Sequence, residues 1–242
     1  MRAAAGAIER ISINPRNFDV DYLTIEGRKP RGVCGSGMID VLAELFLTGL
    51  INKSGRFNKE MMKETKRLRK SGRGYEFVLA WKQETGIDTD VTFTQKDVRE
   101  IQKAKAAIHV GATTLMRKME YSEEDVSKLF IAGAFGNYVD PENARTIGMY
   151  SEFPIEKIEF IGNAAGTGSR LALLSTELRE KAERISRKAV YFELATDSQF
   201  QKEYIDSLYI PYADLDRYPI TKERLLKMRA RHPSPSGEPK KQ

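Results

Sequence analysis

Three glycine-bearing segments stand between a strand-like and a helix-like run, and their residue types suit the binding of polar or anionic ligand atoms. They are Gly32-Val33-Cys34-Gly35-Ser36-Gly37, Ala132-Gly133-Ala134-Phe135-Gly136 and Gly162-Asn163-Ala164-Ala165-Gly166-Thr167-Gly168. Glycine lets a backbone turn sharply and approach a ligand with no Cβ in the way, and N–H groups at a following helix start favour anionic oxygens. Taken singly, each segment reads as a tight strand-to-helix corner; three in one chain read as a nucleotide cradle. None has the G-x-G-x-x-G order of a dinucleotide fold, and none is followed by Lys-Ser or Lys-Thr as a P-loop requires.

Other chemistries are poorly supplied. Cys34 is the single cysteine, so this chain alone holds no disulfide, cysteine-based zinc site or iron–sulfur cluster. Its neutral flanks make it a small packed residue rather than a redox thiol. His109 and His232 lie far apart, one in a helical pattern and one in a proline-rich tail, and read as satisfied or solvated side chains.

The 242 residues carry a net charge of +6, unevenly spread. Lys59 to Arg73 and Lys222 to Gln242 each contribute seven basic and two acidic residues. Such stretches attract nucleic acid or an acidic partner. Without interleaved aromatic residues for base stacking, nucleic acid is disfavoured and a solvated helix face is the simpler reading. No apolar run approaches the roughly 20 residues of a membrane span and Met1 to Gly6 opens no secretory signal, so a cytoplasmic location without membrane contact is expected.

These turns need strands and helices to hold them. Ile8–Ile13 and Phe18–Ile25 read as a hairpin around Asn14-Pro15-Arg16-Asn17, and Met38–Leu50 as a buried helix beginning at the first turn. Tyr75–Trp81 and Asp90–Phe93 read as paired strands. Thr94 and Asp97 cap a long helix whose apolar face is Val98, Ile101, Ile108, Ala112, Leu115 and Met119. Ser122–Asp125 opens a short helix, and Lys128–Ala132 is a short buried strand entering the second turn. Asp140-Pro141-Glu142 starts a helix to about Ile147, and Ile158–Ile161 is a strand entering the third turn and the apolar helix Leu171–Leu174. The alternation predicts an α/β fold. Two regions are expected: residues 1–220 as the folded part, and 221–242 as a basic, disordered tail.

Leu129 to Tyr138 resembles the adenosine motif of the actin, sugar-kinase and heat-shock-chaperone ATPase superfamily. Gly32 to Asp40, Ile131 to Tyr138, Ile161 to Ala165 and Leu208-Tyr209-Ile210-Pro211 together resemble, in order and spacing, the ATP-dependent reductive activators of corrinoid proteins. The resemblance runs from about Met1 to Pro219 and implies the C-terminal lobe of an actin-like (ribonuclease H-like) ATPase domain, with a mixed sheet and flanking helices. It implies ATP or ADP with Mg²⁺ as cofactor, the phosphate side completed by an N-terminal half. An iron–sulfur cluster is implied for the full-length relatives only. The function implied is return of a cobalt(II) corrinoid protein to cobalt(I) for methyl transfer, with the corrinoid protein and the N-terminal half as partners.

Met1 to Glu9 looks like the middle of such a domain, so a fragment or half of a split protein, inactive alone, is expected. By position in the motifs, Gly133, Ala134, Phe135 and Gly136 lie on the adenine side, Gly35, Ser36 and Gly37 face ribose or phosphates, and Asp40 accepts a ribose hydroxyl or serves the helix dipole. Gly162 and Asn163 close the pocket or only shape the last corner. Alternatives are a lobe of another kinase of this fold, an activator of a dehydratase or reductase whose cluster a homodimer would share, and a non-enzymatic module that grips an acidic partner.

Overall fold

The computed structural model describes residues 1–133 and 139–230. The N-terminal hairpin forms as the sequence predicts: β1 (Ala7–Ile13) pairs antiparallel with β2 (Val20–Thr24). A two-residue strand, β3 (Gly32–Val33), then returns parallel to β1 at Ala7 and Ile8 and leads directly into α1 (Gly35–Leu47).

α1 is buried almost all round, and Phe18, Leu42, Leu45 and Phe46 anchor the core with it. Each such side chain taken from water contributes roughly 1.5–3 kcal/mol. Two acidic residues in this apolar helix have a structural use. β3 pairs with β1 only as far as Ile8, and farther along β1 the Ile11 N–H donates to Asp40 Oδ2 at 3.4 Å and the Ile13 N–H to Glu44 Oε2 at 2.9 Å. Carboxylates four residues apart on a helix face thus satisfy alternate N–H groups of a strand edge.

A second, antiparallel sheet runs β4 (Leu68–Ser71), β5 (Gly74–Ala80), β6 (Val91–Thr94). β4 was hidden in the sequence by its charge, because Arg69 and Lys70 sit on an exposed edge; Arg69 pairs there with Glu76 at 2.9 Å and Asp90 at 2.8 Å. The long helix α2 (Gln95–Lys118) starts at a full capping box between Thr94 and Asp97.

The buried face of α2 differs from the expected one. Val98 and Ile101 are buried, but the stripe continues through Gln102, Lys105, Ala106, His109, Val110 and Thr114, whereas Ile108 and Met119 are each 51% exposed and Leu115 is exposed too. The expected residues follow a seven-residue repeat, which slides by about 20° per repeat around a straight helix. The apolar stripe therefore rotates off the core after its first two members.

After α2 the predicted helix at Ser122–Asp125 is a turn closed by Asp125, which accepts from the Ser122 N–H and Oγ. β7 (Leu129–Ala132) pairs parallel with β8 (Ile158–Gly162), and α3 (Pro141–Thr146) lies between them in sequence, capped by Asp140. β7 is not the buried strand expected: Phe130 is 54% exposed. α4 (Ala164–Leu174) and α5 (Thr176–Ser186) contain no buried residue, and Leu173 and Leu174 are more than 70% exposed. α6 (Ser198–Ser207) packs on α2 through ion pairs of Arg117 with Asp197 and Glu203. α7 (Pro219–Ala230) is helical over the first part of the expected tail, with Thr221 and Leu225 buried, and residues 231–242 of that tail lie outside the described residues.

Candidate functional site

The first glycine turn is the start of α1. Cys34 holds the N-cap position in extended backbone; its N–H and Sγ both contact Ile8 O, at 3.1 and 3.3 Å, and Sγ lies 3.3 Å from Ser36 Oγ. Gly35 and Ser36 line a cavity of 620 Å³ with Met1, Glu9, Ile25 and Met38, and open N–H groups of a first helical turn suit anionic or hydroxyl oxygens.

Gly37 faces the other way. A Cβ there would strike Ile8 O and lie 2.9 Å from Val33 Cγ1, so this glycine lets α1 pack onto β1. Gly37→Ala is expected to cost about 2–3 kcal/mol through overpacking against backbone. Urea unfolding checks this, and a loss below about 1 kcal/mol would contradict the close contact.

Asp40 is 1% exposed and lines a different cavity, of 360 Å³, with Arg10, Asp21, Tyr22, Asp140 and Asn143. Besides the Ile11 N–H, it accepts from Asn143 Nδ2 at 2.8 Å. Burial pushes its carboxyl up to about 6, against the lowering effects of the Asn143 hydrogen bond and the Arg10 charge. Asp40 thus joins α1 to α3. The network continues outward, because Asn143 Oδ1 accepts from Arg224 Nη2 at 3.0 Å and Arg224 Nη1 donates to Thr146 at 2.7 Å. Arg10 and Asp140 add an ion pair at 3.3 Å. Sequence reasoning missed Asn143 and Arg224; the one available signal was the Asp140 cap, which fixes Asn143 three residues into α3.

The second and third turns meet. Gly133 closes β7 at φ 89° and Gly162 closes β8 at φ 60°, and the Gly133 N–H donates to Gly162 O at 2.7 Å. Among the described residues, nothing lies within 4 Å of a Cβ built at Gly133. Asn163 caps α4, its Oδ1 accepting from the Gly166 N–H at 2.9 Å. Ala134, Phe135 and Gly136 lie outside the described residues. Gly133, Gly162 and Asn163 therefore form one group at the carboxyl end of a parallel strand pair, where open α/β sheets bind ligands. Gly35 and Ser36 form a second group. The Asp40–Asn143 bond ties the helix that starts at one group to the helix that follows the other.

The family described as "C-terminal domain of RACo the ASKHA domain" matches residues 1–222. The corrinoid activation enzyme RamQ of Eubacterium limosum is 38% identical over 211 residues, 85% of this chain and 35% of that protein. The Co(II) methylated amine-specific corrinoid protein reductase of Methanosarcina barkeri is 27% identical over 180 residues, 73% of this chain and 29% of the relative. Among solved structures, the reductive activator for corrinoid,iron-sulfur protein superposes with a TM-score of 0.85 at 38% identity, covering 91% of this chain and 35% of that one. The chain spans about a third of the length of these relatives. The expected actin-like α/β lobe is thereby borne out, and the chain belongs to the family of the RACo C-terminal ASKHA domain.

Proposed function

We propose that this chain is the adenine-side lobe of an ATP-dependent activator that returns a cobalt(II) corrinoid protein to cobalt(I). The observation that carries the reading is the parallel pair β7–β8, ending in two positive-φ glycines hydrogen-bonded to each other, in a chain 38% identical to a corrinoid activation enzyme. Two glycines at the strand ends, with no Cβ, suit the approach of a flat base to backbone. On this reading Gly133, Gly162 and Asn163, with Ala134, Phe135 and Gly136, flank adenine, while Gly35 and Ser36 offer N–H groups to ribose or phosphate oxygens. Gly37 and Asp40 act one step back, fixing α1 on β1 and α1 on α3.

The phosphates and Mg²⁺ belong to an N-terminal half of the ATPase domain, the first partner of this lobe. Support comes from the sheet. Parallel strands are normally covered on both faces and two strands make no stable sheet, yet among the described residues β7 and β8 pair only with each other and Phe130 and Ile161 are exposed. ATP supplies the free-energy difference between open and closed arrangements of the halves, and the corrinoid protein is the second partner. An iron–sulfur centre belongs to the remainder of the full-length protein, since Cys34 is the chain's one cysteine.

The test compares ATP hydrolysis by this chain alone and by the chain joined to the upstream segment of its Eubacterium limosum relative. The chain alone gives background rates, and the joined protein, supplied with reductant and cobalt(II) corrinoid protein, gives ATP-dependent appearance of the cobalt(I) absorption. Mg²⁺-dependent turnover by the chain alone, or cobalt(I) formation indifferent to ATP, would overturn the reading.

A further inference from the structure

The two basic stretches, separated by some 150 residues in sequence, converge in space. A groove of 750 Å³ is walled by Arg56 and Lys59 on one side and by Arg229, near the end of α7, on the other. Its floor is apolar, made by Ile51, Phe57 and Met61. The wall is preformed: the Asn52 side chain accepts from the Ser54 and Arg56 N–H groups, and Ile51 bridges to Phe57.

Among the described residues these cations have no ion-pair partner, as is also true of Lys66, Lys70 and Arg73. Within the same two stretches Lys63 pairs with Glu60, Arg69 with Glu76 and Asp90, Lys222 with Asp216, and Lys227 with Glu223. Arg67 is spent on the Val78 and Leu79 carbonyls, and Arg224 on Thr146 and Asn143. Arg56 and Arg229 make no ion pair or side-chain hydrogen bond among the described residues, and Lys59 only rests 5.8 Å from the Tyr75 ring centre. Among the described residues Glu60 is the one acidic residue at the groove, and Lys63 pairs with it at 3.2 Å.

We propose that this groove binds an acidic polypeptide segment of a partner protein, its carboxylates meeting Arg56, Lys59 and Arg229 and an aliphatic side chain settling on the half-buried Met61. Charge complementarity of this kind steers encounter and fixes register. An acidic peptide fits better than nucleic acid because Phe57 is buried, so the groove floor offers no exposed ring on which bases could stack. The surface is separate from the glycine turns and does not depend on nucleotide binding.

The probe is a fluorescein-labelled peptide of about 16 residues alternating Glu and Leu, followed by anisotropy against the full 242-residue chain. A twin with Gln in place of Glu and a single-stranded oligothymidine serve as competitors. Saturable binding is expected, weakening at least about tenfold between about 50 and 300 mM sodium chloride. The combined variant Arg56→Glu, Lys59→Glu, Arg229→Glu should weaken it at least about tenfold, and Lys181→Glu on exposed α5 less than about twofold. These are solvent-facing positions, so the circular dichroism of the variants should match the parent. Arg229→Gln alone, which removes one charge without reversing it, should give an intermediate loss. Absence of saturable binding up to about 1 mM, equal binding of the Gln twin, an unaffected triple variant, or tighter binding of oligothymidine would each overturn the proposal.

Discussion

Gly148→Ala is expected to remove about 4 kcal/mol of stability, a large share of a typical total of about 5–15 kcal/mol. Gly148 ends α3 at φ 74°, its N–H bonded to Arg145 O and the next N–H to Ala144 O, the left-handed C-terminal motif that glycine favours. Alanine there carries a conformational cost of about 1–2 kcal/mol. The larger cost is steric: a Cβ would strike Pro211 O and lie 2.8 Å from its carbonyl carbon and 2.9 Å from its Cα. Pro211 O is already in use, because the fully buried Lys105 Nζ donates to it and to Tyr209 O. Pushing that segment away leaves a buried amine short of acceptors. Gly49→Ala is the control, at φ 76° with nothing within 4 Å of its Cβ position, and should lose only about 1–2 kcal/mol. Urea unfolding of both variants decides the matter; equal losses would mean that the contact with Pro211 carries no weight.

Two buried titratable groups are expected to oppose each other in acid, so that removing either one exposes the other. His109 is packed against Tyr212 and Tyr218, and burial, aided by the Lys105 and Arg217 charges, pushes it down to about 4. The unfolded chain therefore binds its proton first. His109 stability is complete above the ordinary histidine range and is lost as pH falls from about 6.5 to about 4. Asp40 runs the other way. Raised to about 6, it takes its proton first in the folded state, so its contribution is complete below about 3.8 and is lost as pH rises through 6. Glu44, also raised by burial, reinforces Asp40. Each of the two shifts corresponds to about 3 kcal/mol. Between pH 7 and 4, Asp40→Asn should lose about 3 kcal/mol relative to the parent, and His109→Gln should gain a similar amount. Unfolding free energies across that range test both signs; parallel curves for parent and variants would show that neither group titrates as its surroundings require.

Much of the fold could be read from local chemistry, and the failures share one cause. The Thr94–Asp97 box, the Asp140-Pro141 start of α3 and the hairpin around Asn14–Asn17 are signalled by residues within a few positions of each other, and each forms as expected. What lies opposite an element is not local. The heptad on α2 marked an apolar stripe but not the face that packs, and Lys105 and His109 are buried because carbonyls and tyrosines from residues 209–218 come to meet them. Asp40 is one turn into a helix that starts at a glycine turn, which suggests a ligand contact. Its actual partners, the Ile11 N–H and Asn143, come from a strand edge and from a helix a hundred residues away. The glycine turns at 133 and 162 were legible individually, but their mutual hydrogen bond follows only from the parallel pairing of β7 and β8.

The central claim, that this lobe carries the adenine side of a nucleotide site, is tested most directly by photolabelling with 8-azido-ATP, whose reactive group sits on the base. The label should be mapped by peptide sequencing in this chain alone and in the chain joined to the upstream segment of its Eubacterium limosum relative. The account predicts that the joined protein is labelled within residues 129–146 or 158–166, with protection by unlabelled ATP. Labels confined to the upstream segment, or scattered without protection, would contradict it.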